Sequence, residues 1–72
     1  MTIKRTVNNA LAELQASGYD AWLATDGWLV VLGPWEQERN RYEWEAWFHP
    51  NNTDWAEVGD APQQVFDLAV WE

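Results

Sequence analysis

Apolar residues recur at three- and four-residue steps from Ile3 through Val7, Ala10, Leu11 and Leu14, and Gly18 follows where a left-handed residue commonly ends a helix. The spacing predicts a helix over residues 3–17. Asn8, Asn9, Glu13 and Gln15 fall on its other side, which leaves the helix on the surface with one face packed. Two apolar runs come next, Tyr19 to Thr25 and Trp28 to Gly33, separated by Asp26-Gly27. Asp-Gly is the preferred pair for a two-residue type I′ hairpin loop, because both central positions need positive φ. Such a loop sets Thr25 opposite Trp28, Leu23 opposite Val30 and Ala21 opposite Leu32 on one face. Ala24 opposite Leu29 and Trp22 opposite Val31 then fall on the other. The run WLVVL is apolar on both faces and is expected inside the sheet.

Gly33-Pro34 stops that strand, and residues 36–41 read as a polar link. In RYEWEAWF, Tyr42, Trp44, Ala46 and Phe48 point one way and Glu43, Glu45 and Trp47 the other, the period of a half-buried strand. His49-Pro50-Asn51-Asn52 is turn chemistry, and Asp54 to Val58 is expected to return antiparallel before Gly59. Asp60 as a cap, Pro62 in the first turn and Gln63 in a variant capping box predict a second helix running to about Trp71. The order is helix, hairpin, two further strands, helix. That is an α+β fold with both helices against a four-stranded antiparallel sheet.

Length and charge narrow the function more than the fold. With 72 residues, positions 1–72 are expected to form one domain around one core, and with no cysteine that core must hold by apolar packing alone. No lysine-then-apolar leader opens the chain, and the longest apolar run, Trp28 to Leu32, is far short of the roughly 20 residues a membrane helix needs. A cytoplasmic location with no membrane contact is the expectation. The net charge of −8 opposes direct binding to DNA, RNA or anionic lipid. Its distribution is uneven, since no Lys or Arg follows Arg41.

Catalytic parts are scarce. His49 is the single histidine, so a zinc site would need a carboxylate-dominated ligand set that zinc rarely accepts. Asp54, Glu57 and Asp60 lie three residues apart, which gathers carboxylates only on a helix, and EF-hand spacing is absent. Ser17 has no neighbouring histidine to activate it, and no glycine-rich phosphate loop occurs. The reading is a protein that is not an enzyme and uses neither metal nor cofactor.

The seven tryptophans are the unusual feature, because so small a core cannot hide them all. Trp22, Trp28 and Trp44 fall at inward or sheet-covering positions and read as packing. Trp47 shares a face with Glu43 and Glu45, Trp35 follows a Gly-Pro break, and Trp55 sits among Asp54 and Glu57. Exposed indoles rimmed by polar groups have the composition of a binding hot spot, so these seven residues are the candidate partner-binding set. Alternate strand residues such as Glu43 and Glu45 would lie about 6.6 to 6.8 Å apart, comparable with successive phosphates of a nucleic-acid strand.

The expected function is therefore that of a small acidic inhibitor or adaptor. Its Trp-bearing sheet face would dock on a basic surface of a protein, such as a nucleic-acid-binding effector, either through protein contacts or as a nucleic-acid mimic. In size and charge the chain is similar to the short acidic proteins that phages direct against host defences, anti-CRISPR proteins and DNA mimics among them. The alternative is an accessory subunit of a larger assembly that buries its tryptophans by self-association, so both monomer and homodimer stay open.

Overall fold

A computed structural model describes residues 4–72. It contains α1 (Val7–Ala16), β1 (Asp20–Leu23), β2 (Leu29–Leu32), β3 (Trp35–Glu36), β4 (Arg41–Tyr42), β5 (Glu45–Phe48), β6 (Trp55–Val58) and α2 (Gln63–Leu68). β1, β2, β5 and β6 form a four-stranded sheet in the order β1-β2-β5-β6, every neighbouring pair antiparallel. The fold is α+β, with a helix at each end of the chain and the antiparallel sheet between them.

Helix α1 starts later than its apolar spacing suggests because Thr6 stops it. The Thr6 hydroxyl accepts from the Asn9 backbone N–H, and the Asn9 side chain accepts from the Thr6 N–H in return. The expected position of Ile3 lies outside the described residues. At the other end Gly18 takes φ +92°, its N–H donates to the Gln15 carbonyl, and the Tyr19 N–H reaches back to Leu14. Those two bonds form a Schellman motif, which turns the chain directly into β1.

The first hairpin differs from the expected one by a single residue. Its loop holds three residues: Ala24 N–H donates to the Trp28 carbonyl, Gly27 N–H donates to the Ala24 carbonyl, and of Asp26 and Gly27 only Gly27 has positive φ. This is a type I turn closed by a glycine bulge rather than a two-residue type I′ loop. The consequence is a changed register, with Ala21 opposite Val31, Trp22 opposite Val30 and Leu23 opposite Leu29. A one-residue slip moves a whole strand's side chains to the other face, so Trp22 shares a face with Val30 and Trp47 and not, as expected, with Val31.

The second hairpin is longer than expected. Trp35 pairs with Tyr42 and Glu36 with Arg41, in the same register that places Leu32 opposite Glu45. Gly33 N–H to Trp44 carbonyl and Glu43 N–H to Pro34 carbonyl bridge the two ladders. The supposed polar link is thus the tip of one arm running from β2 to β5, with Asn40 at φ 53° in its turn. RYEWEAWF is divided at Glu43-Trp44, so Glu43 lies at a bend and not on β5. The break accommodates Trp44, whose indole lies across Gly33: a β-carbon at Gly33 would meet the ring at 2.5 Å.

Both helices pack on the same side of the sheet. Ala10 and Leu14 of α1, Val65 of α2 and Ala69 just beyond it join Ala21, Leu29, Val31, Ala46 and Phe48 in one buried cluster, capped by Trp44 and Trp71. Helix α2 is short, and its N-cap is Pro62, with no side-chain cap. Asp60 therefore does not cap it; instead the Ala61 N–H is taken by the Glu57 carboxylate, and Gln63 bonds Asp67. The helix ends at Leu68 because the chain beyond is held in another conformation. Asn52, at φ 58°, accepts from Trp71 N–H and donates to the Ala69 carbonyl, and the Trp71 indole N–H donates to the Pro50 carbonyl. Arg5 completes the clasp through the Leu68 and Val70 carbonyls, while the Arg5 carbonyl accepts from Glu72.

Candidate protein-interaction face

The side of the sheet turned away from α1 and α2 is built from alternate residues of the same strands. The register lines up Trp22, Val30, Trp47 and Ala56 in one row across it, and Asp20, Leu32, Glu45 and Val58 in the next. A third row continues the ladders through Ala24, Trp28, His49 and Asp54, joined by Ala24 to Trp28 and His49 to Asp54 backbone bonds. Neither helix covers these rows. Val30 is nonetheless only 1 % exposed and Leu32 is buried, although neither belongs to the helix-side cluster. Val30 lies between Trp22 and Trp47 in its row, and Leu32 between Asp20 and Glu45 in the next.

Trp22 is 41 % exposed on the edge strand β1, and Trp28 and Trp47 are half-buried. Two of these rings have fixed attitudes. Trp28 stands edge-on to His49 with centroids 5.0 Å apart, and the Trp47 indole N–H donates to Glu45 at 3.3 Å. Val58, exposed on the free edge β6, and Ala56 extend the apolar area. The charges of the rows are all acidic: Asp20 on the edge strand β1, Glu45 on the interior strand β5 between Leu32 and Val58, and Asp54 at the β6 end of the third row. No Lys or Arg lies in the three rows. Asp26 joins them from the hairpin turn, in a recess of about 300 Å³ lined by Asp26, Trp28, Trp47, Ala56 and Val58.

The residues proposed from the sequence do not form one site. Glu45 and Trp47 are on the open face, and Asp54 is at its margin. Glu43 is exposed at the bend, so Glu43 and Glu45 do not make a regular row along one strand. Trp35 lies in the arm, stacked edge-on against Tyr42 at 4.9 Å. Trp55 and Glu57 point to the helix side, because they pair with Phe48 and Ala46; the Trp55 ring meets Phe66 at 5.0 Å. In exchange the face gains Trp22, Trp28 and Val58, which the sequence reading treated as packing or passed over. The signal was present in Thr25-Asp26-Gly27, which suits a three-residue loop as well as Asp-Gly suits a two-residue one.

Among the described residues no group of three or more His, Asp or Glu side chains is arranged to hold a metal ion, and no helix is long and apolar enough to cross a membrane. His49 is occupied by the turn: its Nδ1 accepts from the Asn51 N–H. Among the described residues the shifted groups are Arg5 and Glu13, neither of them in the three rows. The hydrogen bond from Arg5, at 2.8 Å, holds the Glu13 carboxyl below the usual carboxylate range against a small opposing effect of desolvation, and the guanidinium charge adds to it. Glu13 reciprocally raises the Arg5 guanidinium. This pair ties α1 to the C-terminal clasp.

Comparison with known protein families, with curated proteins and with solved structures finds no match to this chain. What the face can do must be read from its own chemistry: three indoles over a buried valine, with carboxylates at the margins and no cation among them.

Proposed function

We propose that this is a non-catalytic binding protein whose open sheet face docks on another protein, at a surface with an apolar centre and a Lys/Arg rim. The observation that carries the reading is the row Trp22-Val30-Trp47 flanked by Trp28, on the one sheet face that neither helix covers. Large rigid indoles at the centre of a patch and polar groups around it match the anatomy of protein-binding hot spots. The net charge of −8 and the carboxylates of Asp20, Glu45 and Asp54 on the face favour a basic partner, speeding encounter and disfavouring a second copy of the chain. An inhibitor or adaptor acting on a nucleic-acid-handling protein fits this chemistry, since such proteins carry basic surfaces. The carboxylates lie apart with indoles between them, which supports a hydrophobic protein contact over a phosphate-spaced acidic row.

Self-association is the second reading, favoured by the free edge of β6, whose four residues are all exposed. The two are separated by capturing proteins from the cell of origin with the wild type and with Trp22→Ser, and by sedimentation of the purified chain in low and high salt. The proposal expects a captured protein that Trp22→Ser releases and that salt weakens, with a monomer throughout. A dimer that high salt strengthens, with no captured protein, would replace it by the second reading.

A further inference from the structure

The recess between Trp28 and Trp47 has the chemistry of a single-side-chain pocket, and we infer that it receives an arginine guanidinium of the docked partner. This rests on the open face being the docking surface and names the anchor of that contact. At about 300 Å³ the recess is at the small end for a ligand site and suits one long side chain. Two of its lining residues are indoles held in place before any partner arrives, Trp28 against His49 and Trp47 by its bond to Glu45. Asp26 is held at one end, where its Oδ1 accepts from the Trp28 N–H at 3.2 Å. Among the described residues the ion pairs are those of Arg5 with Glu13 and of Arg39 and Arg41 with Glu36, and none involves Asp26.

The choice of occupant follows from that combination. A planar guanidinium stacks on an indole face and presents a fork of donors to a carboxylate, satisfying both kinds of wall at once. A leucine would satisfy the indoles alone and leave Asp26 partly desolvated with no counter-charge. A lysine ammonium pairs with the carboxylate but is more strongly hydrated and has no plane to lay on the ring.

The test titrates the full chain with acetyl-Gly-Arg-Gly-amide at constant ionic strength, following the indole N–H resonances of all seven tryptophans. The lysine and leucine versions of the peptide serve as comparisons. Saturable shifts confined to Trp28 and Trp47, stronger with arginine than with lysine and missing with leucine, are expected. Asp26→Asn keeps the Oδ1 acceptor of the turn and removes the charge, so the spectrum should stay folded while arginine binding weakens about threefold, the size of an exposed charge pair. Equal response to leucine, equal response to lysine, shifts at Trp35 or Trp55 instead, no saturation, or an Asp26→Asn variant that binds as well as the wild type would each overturn the inference. Peptide binding with no captured protein partner would keep the pocket and remove the docking reading; a captured partner with no peptide binding would do the reverse.

Discussion

The two faces of the sheet are both apolar, but they achieve burial by opposite means. On the helix side the central residues include the small Ala21 and Ala46, so that α1, α2 and Trp71 can approach, and Leu14, Leu29, Val31 and Val65 become fully inaccessible. On the open side the residues flanking Val30 are the largest available, Trp22 and Trp47, and no helix approaches. There the indoles take the place a helix would occupy. Small side chains mark the face where the chain supplies its own second layer, and large ones mark the face where that layer is missing. The helix side exposes an indole only at its β6 edge, Trp55, whereas the open side leaves Trp22, Trp28 and Trp47 partly exposed from β1 to β5, an indole surface that a partner would cover.

The comparison can be broken most severely from the helix side. Trp44 is buried against Gly33 and edge-on to Tyr19, so Trp44→Ala should cost about 3 to 5 kcal/mol, much of the stability of so small a fold. Urea denaturation reads this directly, and a fully cooperative, unshifted transition would mean that the core is elsewhere. Gly33→Ala attacks the same contact without removing any atom. Its β-carbon would overlap the Trp44 ring, and a loss of about 1 to 3 kcal/mol is expected in the same assay. On the open face Trp22→Ala should cost less than either, about 1 kcal/mol, because the residue is on an edge strand and 41 % exposed. If Trp22→Ala proved as damaging as Trp44→Ala, the two faces would not differ as described.

The smallest expected effect is electrostatic and concerns neither face. The folded Glu13 carboxyl titrates below its unfolded value, so the stabilisation it brings is present above the ordinary glutamate range and is lost as pH falls through the lower folded value. Melting temperatures of the wild type and Glu13→Gln should differ slightly at neutral pH and converge in acid. A gap that widened on acidification would show that the pair with Arg5 does not stabilise the clasp.

Much of the fold was legible because periodicity carries it. The stripe Val7-Ala10-Leu11-Leu14, the doubly apolar LVVL and the alternation of Trp44, Ala46 and Phe48 specify α1, the interior β2 and the buried side of β5. Two kinds of information were not in the pattern. Loop geometry turns on one residue: Asp26-Gly27 fits either a two- or a three-residue loop, and that choice decides whether Trp22 stands beside Val30 or across from Val31. Long-range polar bonds are equally silent, since nothing near Trp71 announces that Asn52, Pro50 and Arg5 will hold residues 69–72 out of α2. The candidate site depends on periodicity, loop geometry and strand pairing together. The period of two suffices to put Glu45 and Trp47 on the outward face, the loop decides the face of Trp22, and the pairing of β6 with β5 decides that Trp55 and Glu57 fall on the other side.

The most direct test of the open face as the docking surface is site-specific photo-crosslinking in the cell of origin. A photoreactive residue is placed in turn at Val58 on the open face, Ala12 on the outer side of α1 and Glu38 at the tip of the β3-β4 arm, all of them exposed. The account predicts one discrete crosslinked protein from Val58, lost when Trp22→Ser is added, and none from Ala12 or Glu38. The same product from Ala12 or Glu38 with nothing from Val58 would contradict it.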